Sequence, residues 1–295
     1  MARVTHCPSL LFAIFGLLLK ASLACSQVED DLRSRLNPPD SAHVQILGLK
    51  DGSTIYGRVV VAGADSLTFQ SSGGATIQLP ISAVKSVKEV ATTEVHDGEY
   101  WFENPNGTRL FFAPTGQMLK AGEGYVSDYE VFFPGVAYGV TDNITLGGGM
   151  SIFPIGLSYQ VFYLTPKIGF SVNEKTHLAT GALLVGSQGE TGGIYYGVAT
   201  FGDGNASFTV GGGYGFAGGD IESRPVGMVG GEVRLSRRIG FVTENYLLPV
   251  SHDNVLYSFG LRFMGEKMTT DLALFNIAGS GSSFGVPFVD FVFRF

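Results

Sequence analysis

A two-residue alternation of apolar and polar side chains runs through the C-terminal two thirds of this chain of 295 residues and limits its fold more than any other feature. Residues 143–153, 206–215 and 255–264 each place apolar side chains on one face and Gly, Ser, Thr or Arg on the other. Segments of about ten residues with this pattern have the length of a tilted membrane-spanning strand. The pattern predicts an all-β protein, an antiparallel up-and-down transmembrane β-barrel.

The connections between these segments alternate in length. Short turns fall at residues 141–143, 172–175, 202–204, 236–237 and 265–266, and longer connections at 154–157, 187–191, 217–224, 249–254 and 278–285. Outer-membrane barrels have short periplasmic turns and long external loops. The connections therefore favour the bacterial outer membrane over a soluble sandwich.

The strand count follows from the C-terminus, which is expected in the periplasm. Eleven segments fit between Gly124 and Phe295, and the first of them descends, so one earlier strand must rise. Thr108–Ala113 fits that strand and gives about 12 strands, with ten and fourteen as alternatives. Pro166 inside the fourth strand removes a backbone donor and predicts a bulge or an edge.

The last segment, residues 286–295, places Phe291, Phe293 and Phe295 on one face and its charges on the other. This pattern resembles the C-terminal assembly signal of outer-membrane proteins. The resemblance implies that the barrel-assembly machinery and outer-membrane lipid are partners of this chain.

The N-terminus carries an export signal. Arg3 precedes an apolar run, Leu10–Leu19, that is too short to span a membrane, and small residues allow cleavage after Ala24 or Ser26. We assign residues 1–26 to a signal peptide. Cys25 has two interpretations, a lipoprotein cysteine or an unmodified residue beside the cleavage point, and we favour the second because a barrel needs no further anchor.

The segment between the signal peptide and the barrel divides into three parts. Residues 27–42 are polar with two prolines and predict a flexible leader. Residues 43–90 contain five short apolar runs and an Asp51-Gly52 hairpin signal, and they resemble an SH3-like or Sm-like barrel. Residues 91–106 are a linker, and 107–295 are assigned to the barrel. We expect the small module in the periplasm, where it is a candidate docking site for a protein partner.

Two further segments, RLFFAPTGQMLKAGEGY and YGVTDNITLGGGM, are similar to a group of bacterial outer-membrane barrel proteins with a small periplasmic β-module. This resemblance covers roughly residues 107–295. It implies fold and location, and it implies no substrate.

Composition excludes several classes of function. The net charge of −7 is a poor match to nucleic acid. The only cysteines, Cys7 and Cys25, lie in or beside the signal peptide, so the mature chain has no internal disulfide and no structural Cys-based metal site. Ser251-His252-Asp253 are adjacent in a predicted loop and cannot take the geometry of a catalytic triad. The sequence predicts no enzyme, no cofactor and no metal.

Seven charged residues fall on the faces that point away from lipid: Glu232, Arg234, Glu244, Arg262, Asp271, Asp290 and Arg294. They could form a charged constriction that selects solutes, or they could pair across strands and fill the lumen. We favour the second interpretation.

Three functions fit these expectations. The first is a passive pore for small solutes. The second is a structural or interaction protein of the cell envelope whose periplasmic module docks a partner. The third, a secreted soluble all-β protein, is the main structural rival to a membrane barrel.

Overall fold

The computed structural model describes residues 32–96, 99–154, 156–248, 254–279 and 285–295. The predicted signal peptide, with Cys25 and its lipidation, lies outside these residues, as does His252. Within the described ranges no helix has the length and apolar character to cross a membrane. The described chain divides into two compact units, one that ends at Trp101 and one that begins at Phe102.

The first unit contains the five expected strands. They are β1 (His43–Leu49), β2 (Thr54–Ala62), β3 (Ser66–Ser71), β4 (Thr76–Pro80) and β5 (Val84–Ala91). They form one antiparallel sheet in the order β4-β3-β2-β1-β5. Leu47, Val59, Leu67 and Phe69 point to one side and form a core in which each is at most 1% exposed. A short hairpin, β6 (Val95–His96) and β7 (Glu99–Tyr100), follows.

The second unit is the predicted barrel. Its strands are β8 (Gly124–Tyr129), β9 (Phe133–Thr141), β10 (Ile144–Met150), β11 (Phe162–Leu164), β12 (Lys167–Asn173), β13 (Thr176–Ser187), β14 (Glu190–Gly202), β15 (Ala206–Ala217), β16 (Asp220–Ile221), β17 (Val226–Ser236), β18 (Ile239–Leu248), β19 (Asn254–Met264), β20 (Met268–Ile277) and β21 (Val286–Arg294).

The sheet closes where the last strand pairs antiparallel with the first, β21 with β8. Strands β11 and β12 lie end to end and both pair with β10 and β13, so they make one crossing that is interrupted at Thr165-Pro166. The short β16 pairs only with the end of β15. The result is a closed antiparallel barrel of 12 strands, as expected. The interruption confirms the disturbance predicted at Pro166, which has no backbone donor for the ladder.

Two expected connections were wrong. Residues 187–191, expected as a longer loop, form a tight hairpin in which Gln188 and Gly189 take φ values of 52° and 87° between two long strands. The segment after Gly124, expected as one strand, is a hairpin that turns at residues 130–132. The twelfth strand is therefore β8, and Thr108–Ala113 is not a barrel strand.

The two faces of the barrel differ in the way that the alternation predicts. On β19, Tyr257, Phe259, Leu261 and Phe263 point outward, and Arg262 points inward and is fully buried. Apolar outward side chains recur on the other strands, for example Leu272 on β20 and Phe291 and Phe293 on β21. A closed sheet leaves no unpaired backbone edge, and its apolar outer face would be costly in water, so this unit is an outer-membrane β-barrel.

The rings of two inward tyrosines lie close to glycines of neighbouring strands. A Cβ added to Gly149 would fall 2.2 Å from the Pro134 carbonyl oxygen and 2.6 Å from the Tyr163 ring carbon Cζ. Tyr196 lies over Gly181 in the same way. At these positions glycine is required by the close approach of a ring.

We predict that Gly149→Ala destabilises the barrel by about 1–3 kcal/mol, because the added methyl group overpacks a filled site. Urea unfolding in lipid vesicles, followed by the heat-modifiable band on a gel, measures the change. Gly197→Ala is the matched control, since nothing lies within 4 Å of a Cβ at Gly197. Equal stability of the two variants would contradict the packing of Tyr163 over Gly149.

Candidate functional site in the barrel lumen

The segment before the first barrel strand lies inside the barrel. We call residues 102–123 the inner segment. Its central part, Thr108–Thr115, is a hairpin closed by hydrogen bonds from Leu110 N to Ala113 O and from Thr115 N to Thr108 O, and we call it the plug hairpin. Leu110 and Phe111 at its tip are at most 1% exposed. They pack against inward side chains from five strands: Val198, Met228, Val242, Ala273 and Phe288.

This placement corrects the interpretation of Thr108–Ala113 as a rising strand. Leu110 and Phe111 are buried in the lumen, and Phe112, which is 49% exposed, stacks on Tyr129 there, so the run does not face lipid. Short apolar runs beside a proline suit either environment, and the sequence carries no signal that separates them. The sequence pattern correctly showed that this run is apolar, but the run packs against side chains of the lumen and was expected to face lipid.

Glu244 on β18 holds the tip of the plug hairpin. Its Oε2 accepts hydrogen bonds from the backbone N–H groups of Phe111, Phe112 and Ala113 at 2.8–3.0 Å. Its Oε1 accepts a hydrogen bond from the Tyr246 hydroxyl at 2.8 Å. One carboxylate oxygen at the turn thus satisfies three backbone donors, which are costly to leave unpaired in a protein interior.

Arg262 on β19 holds the carbonyl side of the hairpin. Its guanidinium donates to both carboxylate oxygens of Asp271 at 2.7–2.8 Å and to Glu232 at 2.7 Å. The remaining N–H groups donate to the carbonyl oxygens of Asn106 and Leu110. One side chain therefore binds two wall carboxylates and two points of the inner segment, a geometry that the planar fork of arginine permits and lysine does not.

Two more cations complete the attachment. Arg109, inside the plug hairpin, forms a 2.6 Å ion pair with Asp290 on β21, and its guanidinium lies 4.5 Å from the ring centroid of Tyr129. Lys167 on β12 donates to the carbonyl oxygens of Thr108, Thr115 and Gln117. The hairpin is thus bound by strands on opposite sides of the barrel.

The two ends of the inner segment meet at the end of the barrel that carries the short turns. Arg294 on the last strand pairs with Glu103 at 3.3 Å and with Glu123 at 2.8 Å. Arg234 donates to the Phe102 carbonyl oxygen beside them. The chain therefore enters and leaves the lumen at the same end, which we call the short-turn end.

All seven charges that the sequence placed on faces away from lipid point inward. Six are buried, namely Glu232, Arg234, Glu244, Arg262, Asp271 and Asp290, and Arg294 is 17% exposed at the short-turn end. All seven contact the inner segment: in addition to the bonds described above, Glu232 accepts a hydrogen bond from the Asn104 side chain at 2.9 Å, and Asp271 accepts one from the Asn106 side chain at 3.5 Å. The sequence did not predict Arg109 and Lys167 as inward charges, because Arg109 falls in a segment that was expected as a barrel strand and Lys167 adjoins Pro166, where the strand is interrupted.

The buried charges balance. Eight charged residues of the described chain are buried, four basic (Arg109, Lys167, Arg234, Arg262) and four acidic (Glu232, Glu244, Asp271, Asp290). Isolated charges in such a place would be very costly. Ion pairs join Arg109 with Asp290 and Arg262 with Glu232 and Asp271, while Lys167 and Glu244 are bound by backbone carbonyl and N–H groups. In the part of the chain that the structure describes, no three His, Cys, Asp or Glu side chains are grouped as a metal ion would require.

The predicted assembly signal lies on the outer face of β21 and just beyond its end. Phe291, Phe293 and Phe295 are 42–52% exposed and point to the lipid side, while Asp290, Val292 and Arg294 point inward. The Phe295 ring also lies against Gly124 of β8, at the seam where the barrel closes.

Comparisons with known proteins give low similarity. No protein-family model matches the chain, and no curated protein matches its sequence. Solved structures with a similar course include the KdgM porin in complex with disordered oligogalacturonate, at 6% identity and a TM-score of 0.42, covering 58% of this chain and 95% of that one. The NanC porin gives 10% identity and a TM-score of 0.39, covering 58% and 97%. Pseudomonas aeruginosa OprD gives 9% identity and a TM-score of 0.32, covering 86% and 93%.

We predict that Glu244→Ala releases the plug hairpin from the wall. The substitution leaves three backbone N–H groups unpaired, at a cost of about 1–3 kcal/mol for each group that finds no water. Trypsin should then cut after Arg109, which is inaccessible in the native lumen, and mass spectrometry of the fragments detects the cut.

Leu247→Ala is the matched control, because Leu247 lies on the same strand and points to lipid. Both variants should keep the heat-modifiable band of a folded barrel. Protection of Arg109 in Glu244→Ala at the level of the control would show that the carboxylate does not hold the hairpin.

Proposed function

We propose that this protein is a passive pore for small solutes whose lumen is closed by the plug hairpin. The observation that carries the proposal is the manner of closure. The inner segment enters and leaves at the short-turn end, and the bonds that hold it in the lumen are hydrogen bonds, ion pairs and side-chain contacts. A segment held in this way can leave the lumen without any change in the barrel strands.

The size of the barrel supports the same function. Barrels of about eight strands are filled by their own side chains, and barrels of 16–18 strands leave an aqueous channel. A barrel of twelve strands lies between these cases, and in this barrel the plug hairpin fills part of the lumen. With the hairpin displaced, the wall would present Glu232, Glu244 and Arg262 to water, as a solute channel does.

We further propose that the residues before Phe102 lie in the periplasm. Phe102 and Glu103 are at the short-turn end, and short turns face the periplasm in outer-membrane barrels. The terminal residues Phe291, Phe293 and Phe295 would serve the barrel-assembly machinery from the same side. Cys25 remains a candidate for lipidation, with cleavage before an unmodified residue as the favoured alternative.

The small module is proposed to have an SH3-like or Sm-like fold. Its sheet order, in which β5 returns to pair with β1, supports this topology. Docking of a periplasmic protein is the role we propose for it.

We predict that deleting residues 104–118 converts a nearly closed barrel into a conducting one. Glu103 and Glu123 both contact Arg294, so the shortened chain still connects the same points without stretching. Planar bilayer recording should show a single-channel conductance several-fold above that of the native protein.

The control is the full-length chain carrying Leu247→Ala, a substitution on the lipid face. As a second opening variant, Glu244→Ala should show frequent transitions to the open level. A deletion variant that folds, migrates as a heat-modifiable barrel and conducts no better than the native chain would overturn the proposed pore.

A further inference from the structure

A cavity of about 460 Å³ lies in the lumen beside the plug hairpin, on the side of the long loops. Phe112, Ala113 and Pro114 of the hairpin form one wall of it. The barrel wall around it comes from the loop-side parts of β13, β14, β17 and β18, with Leu183, Ile194 and Val226 among the inward residues. The cavity has the size of a small-molecule site.

The chemistry of this lining differs from that of a water-filled pore. Most of the inward side chains here are aliphatic or aromatic, including Val185, Val198 and Met228, and five are tyrosines: Tyr125, Tyr129, Tyr163, Tyr196 and Tyr246. The lumen of a hydrophilic channel is polar. An apolar cavity inside a membrane barrel needs an explanation other than the passage of water.

The three charged residues of the lining are already occupied. Lys167 gives its ammonium hydrogens to three carbonyl oxygens, and Arg109 pairs with Asp290. Glu130 accepts a hydrogen bond from the backbone N–H of Val289. The charged groups of the lining are therefore largely engaged in hydrogen bonds, and among their donors the Arg109 Nε–H has no hydrogen-bond partner in the described part of the chain.

Polar groups without partners also face the cavity. The Thr145 hydroxyl is buried and has no hydrogen-bond partner among the described residues. Thr145 lies in the same wall as Tyr163 and Lys167. A hydroxyl or carbonyl group on a ligand could pair with it, and such sparse, placed polar groups fix orientation in apolar sites.

From these observations we infer that the cavity binds a neutral small molecule with an apolar aromatic or aliphatic body and one hydroxyl or carbonyl group. The body packs on the aliphatic wall and the tyrosine rings, and the polar group pairs with Thr145. Charged and strongly hydrated solutes should bind more weakly, because the mostly aliphatic and aromatic lining replaces few of the hydrogen bonds that water gives them. The inference rests on the proposed pore, since it names the class of solute that reaches the hairpin from outside.

The test measures binding in the native chain, with the hairpin in place. The probes are 2-naphthol, a neutral aromatic alcohol, and 1-dodecanol, which stands for the acyl chain of a lipid or detergent. The reporters are the ¹³C-labelled methyl groups of Met228, which lines the cavity, and Met268, which faces lipid. With at least one probe, we expect saturable chemical-shift changes of the Met228 methyl group and none of the Met268 methyl group. The probe that binds more tightly shows whether the natural ligand is a free solute, as 2-naphthol is, or an acyl chain, as 1-dodecanol is.

Two adjacent substitutions separate the cavity from the outer surface. Leu183 points into the cavity and Leu184, next to it, points outward. Leu183→Trp fills the cavity and should weaken probe binding at least about tenfold. Leu184→Trp changes the lipid face by the same volume and should leave binding unchanged.

The outcomes are decisive in both directions. Equal binding by the two tryptophan variants, or equal shifts at Met228 and Met268, would show adsorption to the surface and overturn the inference. Binding of 2-naphthalenesulfonate or glucose as tight as that of 2-naphthol would overturn the neutral, apolar class. If the deletion variant does not conduct but the native chain binds 2-naphthol, the proposed pore is wrong and the ligand site stands. If the deletion variant conducts but the native chain does not bind 2-naphthol, the ligand site is wrong and the proposed pore stands.

Discussion

The carboxylate of Glu244, bonded to three consecutive backbone N–H groups of the plug hairpin, is the contact on which the interior of this barrel depends. A turn that enters a protein interior must place its N–H groups somewhere, because orphaned donors are costly without water. Here one wall residue meets that requirement at the tip, and Leu110 and Phe111 can then be buried beside it. The packing of the hairpin follows from this bond and from the carbonyl oxygens bound by Arg262 and Lys167.

The balance of four buried basic and four buried acidic residues has a further consequence. Buried pairs contribute little net stability over apolar packing, but breaking one partner is costly because it strands the other. Arg109 is the only one of the eight carried by the plug hairpin, so withdrawal of the hairpin takes away the partner of Asp290 and exposes it to entering water. The charges therefore fix the position of the hairpin more than they raise its affinity for the wall.

The sequence predicted the wall of this barrel better than its contents. The alternation of side chains identified the inward position of Arg262 and the outward position of Phe291, since in a strand the face of each residue follows from its parity. The turn at residues 130–132 escaped prediction because Glu130 and Val131 adopt positive φ values of 54° and 66° without the glycine or asparagine that marks such turns. The hairpin at Thr108–Thr115 escaped because its bonds to Glu244 and Arg262 join residues more than a hundred positions apart.

The lumen has two chemically different halves, and the plug hairpin separates them. Toward the short turns lie Glu232, Arg262 and Asp271, bonded to one another and to the inner segment. Toward the long loops lies the cavity lined by Leu183, Met228 and the tyrosine rings. Phe112 and Pro114 of the hairpin face the cavity, while Asn106 and Leu110 give their carbonyl oxygens to the charged half. A ligand in the cavity would thus contact the side of the hairpin opposite the carbonyl oxygen that Arg262 binds, and its packing would change the stability of the contacts that close the barrel.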